Sequence, residues 1–459
     1  MADASVPQKA TAVYQRKPVQ KLIVIALLAE LGYGVMNIST MPVYLANDRQ
    51  FGTTTIGLVF TAYLLSEAVF KSPMGHLADK FGPKRLMMIG PAISIFTAAI
   101  SISIPHTGAS PLEVLAFIVL RMLDGLGAAM LWPAMFAEVN SVVEDQDRQQ
   151  AMSLMNLCYM LGIAIAFICG GAINDLTHTT YAGLLLGAVM FATVSFGVYR
   201  FVPDVAIPTH VAGEHETNLR DFIDSLKQLP EYLLIAVVTF VGIGFPMAIF
   251  KLFAGQQFGY SETQIGFLIG PGAIVLGAAS IPMSQFADRI GRIRAIHLGM
   301  MMCAAGLTLI GSGAVVPPLR HPYVLAIGCV PVGIGFLMAI PAWFASVSDL
   351  DPERRGSNLG AVMTAQGIGA IIGTPVGSTI YEKLQPLGIQ LRLGPDFGRY
   401  SPFVGSAVCI WIAWAIGLRV LREPKKDKPL TAGTDFSPDS SAAARQAAEL
   451  ETHRPEESA

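Results

Sequence analysis

Charge is what this chain has least of. Asp, Glu, Lys and Arg make up 14% of its 459 residues and 53% are hydrophobic, whereas soluble domains carry about 25% charged residues; a soluble globular domain is excluded. Cysteine is sparse too. Cys158, Cys169, Cys303, Cys329 and Cys409 lie singly within apolar stretches, without CxxC spacing, so neither a disulfide framework nor a metal site is expected. No GxxxxGKS/T loop, HExxH pair or exposed triad occurs, and the Gly-x-Gly pairs sit inside apolar runs rather than after strands. The expectation is a protein that is not an enzyme, has no cofactor and binds no nucleic acid.

What the chain has in abundance is apolar length. Twelve windows of about the 20 residues that span a bilayer lie near 21–45, 55–77, 85–105, 112–139, 150–173, 181–202, 231–254, 264–286, 294–315, 322–348, 357–382 and 401–421. The fold class expected is an all-α, multi-pass integral membrane protein embedded in the lipid bilayer. The first window is too long for a secretory leader and no small-residue cleavage site follows it, so it reads as a retained helix. Most Lys and Arg fall on the tails and even-numbered loops, while the opposite face holds Arg49, Arg320, Lys383, Arg392 and Arg399. By the positive-inside rule both termini are cytoplasmic, and the short loops suit a bacterial inner membrane.

A polar connection at 204–229 separates an N-terminal six-helix bundle, 21–203, from a C-terminal one, 230–421; a cytoplasmic tail at 1–20 and a disordered tail at 422–459 flank them. The halves repeat each other. SPMGHLADKFGPKR (72–85) faces IPMSQFADRIGRIR (281–294), and GLGAAMLWPAMFAEV (125–139) faces GIGFLMAIPAWFASV (333–347), at nearly one offset. Six helices per half start both halves on the same side, which makes the repeat parallel. Transporters with that symmetry hold their solute near the midplane, between the halves.

These residues resemble a known family. Gly75, Leu77, Ala78, Asp79, Lys80, Gly82, Lys84 and Arg85 are similar to the loop signature of the major facilitator superfamily between helices two and three, and Ala287, Asp288, Arg289, Gly291 and Arg292 form the degenerate copy between helices eight and nine. The resemblance implies alternating access by two rocking bundles, with helices one, four, seven and ten around a central cavity and two, five, eight and eleven against the other bundle. Read physically, Gly82 and Gly291 suit tight turns, and the loop acids and bases suit a conformational latch. In helix four, Arg121, Gly125, Gly127, Ala128 and Ala129 match the pattern of the twelve-helix drug/proton antiporters, with Asp124 in place of an amide. Helix five keeps Gly162, Gly170 and Gly171 but lacks the proline of that pattern.

A charge at mid-bilayer costs roughly 2.5–3.5 kcal/mol on insertion scales, so each one is a functional candidate. They are Glu30, Glu67, Lys71, Arg121 and Asp124, all in the first half. The repeat provides its own control: the matching positions are Phe240, Leu276, Ser280, Cys329 and Val332, so packing does not require the charges. Glu67 and Lys71, spaced i,i+4 with the acid first, suit a buried ion pair. Arg121 and Asp124 share a face, and with helices one and four adjoining, as the resemblance implies, Glu30 is expected to approach Arg121. Glu30, Arg121 and Asp124 are the expected proton-coupling residues, and Tyr33, Asn37 and Trp132 possible substrate contacts. Lys251, near the outer end of helix seven, is read as snorkelling to the interface. The expected function is proton-coupled export of a small, partly apolar or drug-like compound by a monomer. A proton-linked importer of a sugar, organic acid or other metabolite, favoured by the missing proline, is the alternative; a non-transporting sensor or lipid-handling protein is the reading from another class.

Overall fold

The computed structural model describes residues 15–144, 147–203, 229–350 and 355–421. The expected linker, apart from Leu229, and the expected C-terminal tail lie outside the described residues, as do the side chains of Asp79 and Asp288. Twelve helices among the described residues are long and apolar enough to cross a membrane. We number them α1 (Lys17–Asn47), α2 (Thr53–Phe81), α3 (Pro83–Ser103), α4 (Pro111–Ser141), α5 (Arg148–Thr177), α6 (Ala182–Phe201), α7 (Pro230–Met247, resuming as Phe250–Phe258), α8 (Glu262–Ile290), α9 (Arg292–Gly311), α10 (Pro322–Leu350), α11 (Arg355–Gln390) and α12 (Asp396–Val420).

The sequence accounts for these elements locally. With no water in the hydrocarbon to satisfy backbone groups, an apolar run of this length closes its hydrogen bonds within a helix. Proline opens α1, α3, α4 and α7 in the first turn, where its missing N–H is harmless. Ser110 caps α4, and Ser261 with Gln264 forms a capping box on α8. Several helices overrun their apolar windows: α8 continues to Ile290 and α11 to Gln390. Hydropathy marks the bilayer core, whereas backbone bonding carries the helix on into polar surroundings.

The two repeat copies adopt one turn. Gly82 joins α2 to α3 at φ 87°, ψ 138°, and Gly291 joins α8 to α9 at φ 94°, ψ 141°, a region that L side chains rarely enter. Each half builds its own core, around Met87, Phe117, Leu131 and Phe191 in one and Ile296, Phe253, Tyr381 and Phe403 in the other. The bundles meet along α5 with α8 and α2 with α11, the four helices that the resemblance set against the other bundle. Small residues allow the approach: a β-carbon on Gly266 would lie 2.6 Å from the Phe167 carbonyl oxygen, and one on Gly57 2.5 Å from Ser378 Oγ.

At the end remote from the termini, a buried and a half-buried arginine fix the loops. Arg49 Nη1 donates to the Ile104 carbonyl at 2.7 Å and to Glu113 at 3.2 Å, and its guanidinium lies over Tyr44 and Phe117. In the second half Arg320 donates to the Gly313 carbonyl at 2.8 Å and to Asp396 at 2.5 Å.

Candidate functional site

The charges on α4 turn into the first bundle. Arg121 is 1% and Asp124 0% exposed. Their i,i+3 spacing puts them on one face, where Arg121 Nη1 donates to Asp124 Oδ2 at 3.0 Å and to Asn37 Oδ1 of α1 at 2.5 Å. Thr97 of α3 donates to Asp124 Oδ1 at 3.4 Å. Arg121 Nε and Nη2 have no hydrogen-bond partner among the described residues. Beside the guanidinium lies a cavity of about 10 Å³, bordered by Asn37 and Tyr63. Asn37 reaches the cluster because α1 is π-helical over Gly34–Thr40. The wider i→i+5 turn re-aims side chains, a distortion that recurs at functional sites.

Glu30 lies apart from this cluster. It stands two turns before Asn37, about 10 Å along the helix axis, is 4% exposed, and rests on Gly162 of α5, where a β-carbon would come within 2.7 Å of it. The expected approach to Arg121 is therefore not made; α1 does adjoin α4, but Asn37 fills the place beside the guanidinium. Within electrostatic range of Glu30 are Glu67 and Lys71 of α2, and Tyr159 of α5. Among the described residues Glu30 forms neither a hydrogen bond nor an ion pair. Glu67 and Lys71 do pair, at 3.1 Å, but with side chains 22% and 46% exposed the pair is open rather than buried. The i,i+4 spacing sets the pairing but not how far the pair is covered.

The expected substrate contacts divide. Tyr33 is buried with its ring edge-on to Phe191 at 4.6 Å, and Asn37 is engaged by Arg121. Trp132 packs on Tyr159 at 5.5 Å and Phe136 at 5.9 Å, leaving Tyr159, 37% exposed, as the accessible aromatic of that wall. In the loop motif, Gly75 lies against Pro133, the Lys80 ammonium sits over Phe81, and Lys84 sits over Tyr199. Arg85 and Arg289 are exposed, and Arg292 donates to the Ala345 carbonyl at 3.3 Å.

Sequence reasoning missed two sites. Lys251 does not snorkel: it is 3% exposed and donates to the Ser39 carbonyl at 2.6 Å, Ser39 Oγ at 2.8 Å and Glu262 Oε2 at 2.5 Å. Asn174 of α5 donates to the same carboxylate at 3.1 Å, Asp175 accepts from the Thr263 N–H at 2.8 Å, and Glu382 accepts from the Thr54 N–H at 2.8 Å. These bonds join the bundles at the end remote from the termini. Their signal was a charge at each of two helix ends that meet only in the fold. Glu138 of α4 is fully buried, with both oxygens unpartnered among the described residues and Lys84 in electrostatic range. It stood at the edge of an apolar window, where an acid reads as interfacial.

Two six-helix bundles related by a parallel repeat, meeting along helix pairs around buried charges, define a multi-pass membrane transporter of the secondary active class rather than an enzyme. The comparisons agree: the sequence profile of the Major Facilitator Superfamily matches residues 22–374 and 232–445, and the chain belongs to that family. It is 25% identical over 376 residues to multidrug resistance protein 2 of Bacillus subtilis (strain 168), covering 79% of this chain and 90% of the relative. Its fold is similar to the crystal structures of the nucleoside transporter NupG (TM-score 0.69, 14% identity, 89% of this chain and all of the other) and of a D-xylose–proton symporter (TM-score 0.65, 14% identity, 87% and 98%).

Proposed function

We propose that this protein moves a small organic solute across the membrane by alternating access, coupled to a proton carried by Glu30. The observation that carries the reading is the state of that carboxyl: it is nearly buried against Gly162 of α5, and among the described residues it forms no hydrogen bond or ion pair, with Lys71 acting on it only at longer range. Burying an unpaired carboxylate is expensive, and a proton removes the charge. Arg121, by contrast, is always charged and already ion-paired with Asp124 through Nη1, so it acts as a fixed element that α1 must leave or re-engage as the bundles rock. The Lys251–Glu262–Ser39–Asn174 bonds hold the outer end closed, with both termini cytoplasmic by the charge distribution. A membrane potential of 100 mV supplies roughly 2.3 kcal/mol per proton, about fifty-fold accumulation at RT ≈ 0.59 kcal/mol.

For direction, uptake of a metabolite replaces the export first expected. Helix α5 runs without proline from Arg148 to Thr177, departing from the antiporter pattern, and the similar folds include a nucleoside transporter and a proton symporter. Export of a partly apolar compound is the second reading, favoured by the multidrug resistance relative. Vesicles containing the purified chain test both. With an imposed pH gradient, radiolabelled nucleosides, sugars and aromatic amides accumulate with the native chain, in the direction of proton flow for uptake and against it for export. Glu30→Gln abolishes gradient-driven accumulation of whichever solute moves. Undiminished accumulation by that variant refutes the assignment of the proton to Glu30.

A further inference from the structure

Between α9, α11 and α12, at the end remote from the termini, runs a groove of about 580 Å³. Val315, Leu384, Phe397, Val404, Val408 and Trp411 line it, and no charged side chain does. It opens on the surface of the second bundle, where Val315 is 60% and Val408 50% exposed. The hydroxyls along it are already committed. Thr308 donates to the Ala304 carbonyl at 2.7 Å and accepts from Trp411 Nε1 at 3.0 Å, while Ser312 donates to the Thr308 carbonyl at 2.7 Å and Ser401 to that of Phe397. The groove therefore offers an occupant apolar contact and few free polar groups.

Its size and direction narrow the occupant. The volume lies within the roughly 300–1,000 Å³ of small-molecule sites. On α12 the groove reaches from Phe397, beside the helix start, to Trp411, about 21 Å along the axis, whereas half of a hydrocarbon core is about 15 Å. It thus begins at the interface and passes through one leaflet, the course of a lipid acyl chain.

The mouth of the groove is basic. Arg320, Lys383, Arg392 and Arg399, four of the five basic residues expected at this end, stand on the segments that flank it. Only two acids accompany them there: Asp396 pairs with Arg320 at 2.5 Å and Arg399 at 3.8 Å, and Glu382 with Lys383 at 3.4 Å. Positive charge is left in excess. The Lys383 side chain is 70% exposed and Arg392 is exposed as well, so both can meet a headgroup.

We propose that this groove holds one acyl chain of an anionic glycerophospholipid, whose phosphate meets Lys383 and Arg392 at the interface. A zwitterionic lipid has the same chain and phosphate but brings an ammonium to a mouth with surplus positive charge, so the anionic lipid is preferred. The chain fills space between α9, α11 and α12 that no side chain fills, and braces α11, which also meets α2 of the other bundle. The site needs neither Glu30 nor a gradient, and it stands independently of the coupling reading.

The full-length chain, delipidated in detergent, is titrated with dioleoylphosphatidylglycerol or dioleoylphosphatidylcholine, and bound lipid is counted by native mass spectrometry. The native chain is expected to retain one phosphatidylglycerol at a concentration about tenfold below that needed for phosphatidylcholine. Val408→Trp, which fills the groove from its exposed side, is expected to weaken binding of both lipids about tenfold. Lys383→Gln with Arg392→Gln is expected to weaken phosphatidylglycerol about tenfold and leave phosphatidylcholine unchanged. Equal affinity of the native chain for the two lipids, or undiminished phosphatidylglycerol binding in either variant, overturns the proposal. So does a native chain found as a lipid-free dimer, because a second copy would then cover the groove. If Val408→Trp does not fold, the double charge variant, which alters only exposed side chains, decides.

Discussion

Replacing Asp124 with Val, the residue at its repeat counterpart Val332, tests whether the α4 charges serve folding or transport. In the single variant Arg121 stays 1% exposed but loses the carboxylate 3.0 Å away, keeping only Asn37. Stranding one member of a buried ion pair costs about 3–5 kcal/mol. Removing both charges together, as Arg121→Met with Asp124→Val, keeps much of the volume and strands no charge. What remains is Asn37 Oδ1 without its donor, a loss of about 1–3 kcal/mol. Asn37 Nδ2 is already unpartnered, so it adds nothing new, and Thr97 loses only a long contact at 3.4 Å. The double variant is therefore expected to be about 2 kcal/mol more stable than Asp124→Val. Unfolding midpoints in mixed detergent–SDS micelles read the difference, and gradient-driven transport is expected to be lost in both. A double variant no more stable than the single one would refute the reasoning, because the pair would then be required for packing.

Further outcomes follow from the same geometry. Glu67→Gln changes stability by no more than about 1 kcal/mol, since the side chain of its partner Lys71 is 46% exposed; a loss above 2 kcal/mol in the same unfolding assay would show the pair to be buried in the bilayer-embedded protein. Lys251→Met removes the donor to Ser39 and Glu262, and is expected to raise the rate at which a maleimide labels Thr54→Cys at the remote end by severalfold; an unchanged rate means these bonds do not hold that end closed. Gly82→Ala and Gly291→Ala each force a side chain into a backbone region at φ 87° and 94°, costing about 1–3 kcal/mol, whereas Gly360→Ala on α11, with open space around it, leaves the unfolding midpoint unchanged.

Much of the fold is written in local features. Apolar length specified twelve helices, and Gly82 and Gly291 announced the two turns because no other residue takes that backbone easily. Repeat matching marked the charged positions whose counterparts in the second half are uncharged. Less legible was which charges meet. Glu30 and Asn37 share α1, yet a π-helical stretch with no marker in the sequence decides that Asn37 turns to Arg121. Lys251 and Glu262 sit at helix ends, where hydropathy is indifferent to charge; only the meeting of α7, α8, α1 and α5 buries them. Val408 and Trp411 looked like ordinary apolar-helix residues until the structure set them along one groove with Leu384 of α11.

The most direct measurement of the central claim counts protons against solute. Vesicles loaded with a pH-sensitive dye receive the solute found to move, with no imposed gradient, and dye response and solute entry are recorded together. Coupling through Glu30 predicts that the native chain moves protons with the solute, while Glu30→Gln still exchanges labelled for unlabelled solute but moves no protons. Proton movement in Glu30→Gln equal to that of the native chain would contradict the account.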